Sequence, residues 1–551
     1  MSGQFVIAPL LVALVTAIAT LLTRRFDRVQ VTLSLLGGVG YLGAVAWLVS
    51  KVDPLGATNA FSYQLSGWQA PFGITLVADS LSAFMLAFSA VIALAALVFS
   101  AAYVDTFGQR VSYHPLYHFM VVGVTGSFLT GDIFNLFVWF EVMLMSSYVL
   151  VVFYSGPQHT RAALQYVVLN LVGSAVMLLA IGGLYSTTGT LNMADLSRRV
   201  ANPAAYGDFA VAPVLGLSAL LFAVFALKAG LAPFQFWVPA AYRAAPAPVS
   251  AMLAGVVKKV GVYAIVRVYF TVFGAAALGG LSLPGLSVPD GGSALLAFYG
   301  PILFLMAAAS IVIGGLGAVG RDDIDGLLAY SSIGQVGFIV LPLAIAATTT
   351  DESIRVLGVS AALVYALNHG FAKGLLFMAS GAVYDAVGTE EFPDLGGLSE
   401  TAPWLSGGFF VGALALIGIP PLSGFFGKLL VFDAAGRAGA AGMPGSYLAL
   451  GVALFGAILT IAYFSRAWNR GFWGEPSMLV KHGETKFTLV AIVVAMAVAI
   501  ALLGVGFDVV MRAAEAGAEA ALDRQEYVDT VLGGGSGAEE ATAGGGGGGH
   551  S

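Results

Sequence analysis

The sequence contains no cysteine. That absence excludes disulfides, thiolate metal sites, iron–sulfur clusters and cysteine nucleophiles together, so neither a redox centre nor any other cofactor or metal is assigned to the chain. Charge is scarce as well, at 10% of 551 residues, against about 25% in soluble domains. The formal net charge of −6 leaves no concentrated basic face for nucleic acid. Of the six histidines, His114, His118 and His159 fall at span ends or in loops, and their spacing completes no metal shell. Phosphate loops and nucleophile elbows are missing, and nothing suggests hydrolysis. The first apolar segment, Phe5 to Leu22, has neither a basic leader nor a small-residue cleavage site, so it reads as a retained helix.

What the chain has in abundance is apolar sequence: 58% of residues are hydrophobic and mean hydropathy is +0.90. Apolar segments of about 20 residues, the length that crosses a bilayer, recur near 4–23, 30–50, 74–104, 114–130, 132–154, 162–186, 212–240, 249–274, 294–318, 324–347, 354–386, 404–433, 447–470 and 486–511. The expected fold is an all-α polytopic membrane protein with about fourteen transmembrane helices. With the N-terminus outside, inside loops hold Arg24, Arg25, Arg28, Arg110, Arg161, Arg243, Arg321, Arg466, Arg470, Lys481 and Lys486. Outside loops hold Lys51, Arg198, Arg199, Arg355 and Arg437. The asymmetry favours both termini outside the cytoplasm, with Arg198 and Arg199 running against it.

Two spans are interrupted by helix breakers, at Ala232-Pro233 just after Lys228 and at Gly418-Ile419-Pro420-Pro421 before Lys428. Unwound backbone at membrane depth survives only beside a cavity or ion path, and breaks in corresponding halves of a transporter point to inverted repeats. The chain therefore divides into N-terminal helices (1–113), a first repeat (114–274), a second repeat (294–470), a C-terminal helix with its preceding loop (471–511) and an acidic, Gly-rich tail (512–551) expected to be disordered. A third break is expected at Asn368-His369-Gly370.

A charged side chain at the bilayer centre costs about 2.5–3.5 kcal/mol on insertion scales, so each needs a partner, water or a purpose. Glu141 sits with apolar residues for two turns on either side. Lys228 precedes a break. Lys258 and Lys259 are adjacent, about 100° apart on a helix, so only one is expected to line a path while the other packs or snorkels. His369 and Lys373, four residues apart, share a face, and Lys428 follows the second break by two turns. Each alone could be a structural ion pair or a snorkelling lysine, but five lysines, one histidine and one glutamate cannot all pair off. Alternating carboxylate, ammonium and imidazole groups instead suit a proton relay. Asp79 and Asp132 read as solvated caps at span ends, and Arg321, Asp322, Asp323 and Asp325 as a solvated turn.

The stretches Phe225–Phe234, Ala247–Gly255, Leu328–Gly337, Leu367–Phe377 and Gly418–Lys428 resemble the antiporter-like, proton-translocating subunits shared by respiratory complex I and Mrp-type sodium/proton antiporters. The resemblance covers about residues 75–470. Gln235 and Tyr242 stand where complex I subunits usually carry histidines, which brings the chain nearer the D-type member of Mrp antiporters. The resemblance implies a gating pair of Glu141 and Lys228, a central carrier Lys259, and His369, Lys373 and Lys428 as the continuation of the relay. It gives Lys258 no role, and Asp325-Gly326 stands where relatives often have a basic residue. It further implies a secondary transporter subunit rather than an enzyme, multi-pass in the cell membrane (the bacterial inner membrane), partnered by other membrane subunits, lipid, protons and Na+. The alternative it leaves open is a proton-pumping membrane module of a complex I-like oxidoreductase.

Overall fold

Apolar composition decides the architecture one segment at a time. The computed structural model describes residues 3–108, 112–207, 209, 211–276 and 294–533, and most of them are helical. A bilayer interior offers no hydrogen-bond partners, so each segment satisfies its own backbone by winding into a helix. First come α1 (Gln4–Leu22), α2 (Asp27–Val52) and α3 (Ser80–Tyr103), with an antiparallel hairpin of β1 (Phe61–Gln64) and β2 (Thr75–Ala78) between α2 and α3. Next are α4 (His114–Leu129), α5 (Ile133–Val151), α6 (Pro157–Thr188), α7 (Met193–Ala201), α8 (Val211–Ala229), α9 (Trp237–Ala244) and α10 (Ala247–Val272). The second half holds α11 (Ala294–Val319), α12 (Ile324–Thr348), α13 (Glu352–Val387), α14 (Pro403–Ile417), α15 (Ser423–Ala440) and α16 (Ser446–Phe472). Last are α17 (Phe487–Val505), α18 (Phe507–Leu522) and α19 (Arg524–Leu532).

Among the described residues, twelve helices are long and apolar enough to cross a membrane. The expected fourteen passages are recovered by adding α4, 16 residues long, and α14 with α15, of which α14 runs only 15 residues before its break. An even number of passages brings both ends to one face. Ser62 in the β1–β2 hairpin accordingly donates from Oγ to the Thr530 carbonyl in α19, at 2.8 Å. Arg198 and Arg199, which ran against the charge asymmetry, are both held by Asp195 at 2.7 and 2.9 Å.

The two repeats are visible in backbone hydrogen bonds. In the first, Ile133 N–H donates to the Leu191 carbonyl and Met193 N–H to that of Gly131; in the second, Ile324 N–H donates to Glu390 and Phe392 N–H to Asp322. Asp132 and Asp323 cap the helices that start there, accepting from Asn135 N–H and Gly326 N–H. Each repeat makes five passages, the fourth broken, so the second begins on the face opposite the first and the two are inverted. Both breaks have one geometry. Gly230 and Gly418 take the left-handed conformation at φ 66° and 93°, which a residue without a Cβ adopts freely. The next amide folds back, Leu231 to Ala226 and Ile419 to Leu414.

Position in the bundle follows from burial. The most apolar windows of α10 and α12 are 100% and 94% buried, whereas those of α2 and α17 are 33% buried; α10, α12 and α13 therefore form the centre while α2 and α17 lie at the periphery. Two expectations are corrected. α13 runs unbroken for 36 residues: Gly370 serves close packing instead, since a Cβ there would lie 3.0 Å from the Gly255 carbonyl oxygen of α10. Residues 512–532, assigned to a disordered tail, belong largely to α18, whose alanines present a small, apolar face to α3 and α13, and to α19, which packs on α7 and β1. The Gly-rich remainder, 534–551, lies outside the described residues.

Candidate functional site

The first group is built on α5, α6 and α8. Ser174 Oγ donates to Glu141 Oε1 and accepts from Lys228 Nζ at 3.2 Å. The expected gating pair therefore meets through a hydroxyl. Lys228 Nζ also lies 5.7 Å from the centroid of the Phe140 ring, a cation–π contact that compensates part of its lost hydration. Where α8 stops, Trp237 Nε1 satisfies the freed Leu227 carbonyl at 2.9 Å.

The central group lies between α10, α12 and α13. Lys259 Nζ is 2.6 Å from His369 Nδ1 and donates to the Ala254 carbonyl at 2.5 Å. That carbonyl is freed by a π-helical turn over Leu253–Val257. With Nδ1 accepting, the imidazole proton rests on Nε2, which has no hydrogen-bond partner. One turn further along α13, Lys373 Nζ donates to the Leu328 carbonyl at 2.9 Å. Lys259, His369 and Lys373 are all 0% exposed.

The last group surrounds the second break. Lys428 Nζ reaches the Ile417 carbonyl, at 3.0 Å, so a cation meets the negative end of the α14 half-helix. Its Nζ also sits 4.9 Å from the Phe338 ring centroid. Polar side chains fill the interval from His369. Asn368 Oδ1 accepts from Ser423 Oγ at 2.9 Å, Tyr365 donates to Gln335, and Gln335 Nε2 donates to Tyr463 at 3.0 Å. All six expected relay residues thus fall in three groups on the helices that carry the repeats.

Sequence reasoning missed three features. Ser174 carries no charge and escaped a search for charges. Counted back from Gly189 and Gly388, which end α6 and α13, Tyr166, Asn170 and Ser174 correspond to Tyr365, His369 and Lys373, so the repeat itself marks Ser174. Asp79 caps α3 through Ser82 as expected, but it is buried and holds Arg267 of α10 at 2.6 and 2.7 Å. Arg267 lies inside the span expected at 249–274, and the rule that found the lysines applies to it. His118 is paired with Ser34 at 2.8 Å in the α2–α4 seam.

Comparison with known proteins bears on this arrangement directly. Residues 130–452 match the family described as NADH:quinone oxidoreductase/Mrp antiporter, TM. The chain belongs to this family. The D-type component of the Na(+)/H(+) antiporter of Alkalihalophilus pseudofirmus is 33% identical over 532 residues, covering 96% of this chain and 99% of the relative. The N-type component of the NADH-quinone oxidoreductase of Desulforudis audaxviator is 34% identical over 516 residues, 91% of this chain and 93% of the relative. Among solved structures, the Mrp complex from Dietzia sp. contains a chain that superposes with a TM-score of 0.81 at 28% identity, covering 96% of this chain and 100% of the other.

Against this membership in the Mrp antiporter and NADH:quinone oxidoreductase family, the cluster around Asp322, Asp323 and Asp325 departs from a solvated turn. Asp325 is buried and accepts from Ser380 at 2.6 Å. Asp323 faces Arg243 at 3.4 Å, and Asp322 alone stays exposed, held by Arg466 and Arg470 at 2.6 and 2.9 Å. Half-buried Glu390, in the loop after α13, is pushed well above its ordinary value by burial and by the charges of Asp325 and Asp323. Beside them opens a cavity of about 550 Å³ lined by Gln158, His159, Arg243, Arg321 and Tyr330. On the opposite face, a cavity of about 510 Å³ lies between the starts of α3 and α13 and the C-terminal helices, lined by Glu352, Glu519, Asp523, Arg524 and Glu526.

Proposed function

We propose that the chain is the proton-translocating subunit of a multisubunit antiporter of the cell membrane that exchanges protons for a monovalent cation, Na+, and that it works beside other membrane subunits. The observation that carries this reading is the row of ionisable groups at membrane depth, from Glu141, Ser174 and Lys228 through Lys259, His369 and Lys373 to Lys428. Five lysines in a dry interior cannot all stay charged, because each unpaired ammonium would cost several kcal/mol of lost hydration. Some must hold their proton only in transit.

Glu141 and Lys228 act as the gate, Lys259 as the central carrier, and His369, Lys373 and Lys428 pass protons onward. Protonation at one station changes the favourable charge state of the next. When the Glu141 carboxylate is protonated it no longer stabilises the Lys228 ammonium through Ser174, and Lys228 releases its proton inward. The named activity of the A. pseudofirmus relative, matched over nearly the full length of both chains, supports the antiporter over the redox-driven alternative.

The test is a preparation of inverted vesicles holding the whole complex, in which a Na+ pulse is expected to dissipate a preformed pH gradient and Glu141→Gln to abolish the response. Wild-type behaviour of that variant sinks the gate. Copurification of flavin and iron–sulfur chains, with proton movement following NADH instead of Na+, replaces the antiporter by an oxidoreductase module.

A further inference from the structure

Lys258 has no place in the row described above, yet its surroundings are those of a station. It is 0% exposed and does not snorkel. Two faces of α10 are set apart by glycine contacts. On one, Gly255 and Lys259 face α13, with a Cβ at Gly255 placed 3.2 Å from the Gly370 oxygen. On the other, Gly261 is pressed on α8, where a Cβ would lie 2.5 Å from Ala229 N and 2.9 Å from Lys228 C. Lys258 precedes Gly261 by one turn and shares its face, so it points at the α8 break: its Nζ would be 3.2 Å from a Cβ on Gly230, two residues beyond Lys228.

The same ammonium also touches the second repeat. Lys258 Nζ donates to the Ser332 carbonyl of α12 at 3.1 Å, and Lys373 Nζ donates to Leu328, one turn earlier on the same helix. Carbonyls four residues apart are separated by about 6 Å of axial rise, so the two ammonium groups are anchored one turn apart on α12. Beneath Lys258 lies the Tyr242 ring, 5.9 Å from Nζ, whose buried hydroxyl has no partner. The groups facing Lys258 are thus Tyr242 from α9, Lys373 with His369 from α13, and its neighbour Lys259, while Lys228 stands two residues before the Gly230 it packs against; no carboxylate among the described residues neutralises it.

We propose that Lys258 is a proton carrier on the path, handing protons from Lys228 in the first repeat to the central group of Lys259, His369 and Lys373. The proposal rests on the relay reading above and adds a member that reading did not contain. In the transfer, an N–H bond of the Lys228 ammonium breaks as its proton passes to a bridging water, and a proton of that water forms an N–H bond on the Lys258 amine. Charge moves by one proton and no electron is exchanged. The step from Lys258 into the central group repeats it.

The experiment compares Lys258→Met, Lys258→Arg and Lys258→His with Lys228→Met in the assembled complex. Na+-driven proton movement in inverted vesicles is divided by the amount of complex recovered with its partner subunits. Arginine keeps the charge but cannot release its proton, whereas histidine can. The expected order of rates is wild type, then His, then Met and Arg together at a tenfold loss or more. Arg at or above His overturns the proposal and leaves Lys258 a fixed charge, and equal rates in all three overturn it outright. Should Met fail to assemble, the His and Arg comparison still decides. Loss in Lys228→Met with normal transport in the Lys258 variants refutes the Lys258 carrier alone; normal transport in Lys228→Met refutes the relay reading itself.

Discussion

Ser174 Oγ stands between Glu141 and Lys228, donating to the carboxylate and accepting from the ammonium. The hydroxyl can follow a change in either charge without moving a helix. Ser174→Ala removes a hydrogen bond to charged groups worth about 1.5–3 kcal/mol, so the proton transport rate is expected to fall about tenfold to a hundredfold. Ser174→Thr keeps the hydroxyl and most of the rate. Equal rates for Ala and Thr in vesicle assays contradict the bridging role.

Asp79 and Arg267 tie α3 to α10, with the Tyr527 ring of α19 4.9 Å from the guanidinium carbon. Breaking a buried ion pair on one side leaves an uncompensated charge and costs about 3–5 kcal/mol. Arg267→Met is therefore expected to lower the melting temperature of the purified complex strongly, and Asp79→Asn combined with it to recover part of the loss. A double variant less stable than the single one contradicts the pairing.

Gly261 lets α10 touch the α8 backbone beside Lys228. Ala at this position would force the helices apart, at about 1–3 kcal/mol for overpacking. The expected result is reduced transport along with reduced thermal stability, because the Lys228 and Lys258 side chains are displaced with their helices. Unchanged melting in Gly261→Ala contradicts the close approach.

Glu390 supplies a pH dependence with a definite sign. Burial, then the charges of Asp325 and Asp323, raise it above its ordinary 4.5, with Arg243 opposing. Between that value and the raised one, the folded chain binds more protons than the unfolded chain, so stability falls as pH rises through the window. Glu390→Gln does not titrate. Its melting temperature is expected to exceed that of wild type by more at about pH 9 than at about pH 5. A larger gain at the acidic end contradicts the raised value.

Hydropathy made the passages legible, because in lipid a long apolar segment has hardly any alternative to a helix. The breaks at Pro233 and Pro421 were equally legible from proline and glycine at membrane depth. Asn368-His369-Gly370 misled for a physical reason. Glycine there provides room for α10 rather than freedom for its own backbone, and sequence alone does not separate the two uses. The α18 and α19 helices were hidden by acidic and alanine-rich composition that suits a solvated tail as well as a packed cap. In the site, charge marked the candidate residues, but the neutral groups between them, Ser174, Gln335 and Tyr365, became visible only through their contacts.

Lys259 is the proposed central carrier, and its replacement by Met is the most direct test of a proton path through this chain. In vesicles holding the assembled complex, proton movement driven by Na+ is expected to fall to the level of vesicles without the complex, while the partner subunits still copurify. Transport at the wild-type rate in Lys259→Met would contradict a proton path through this chain.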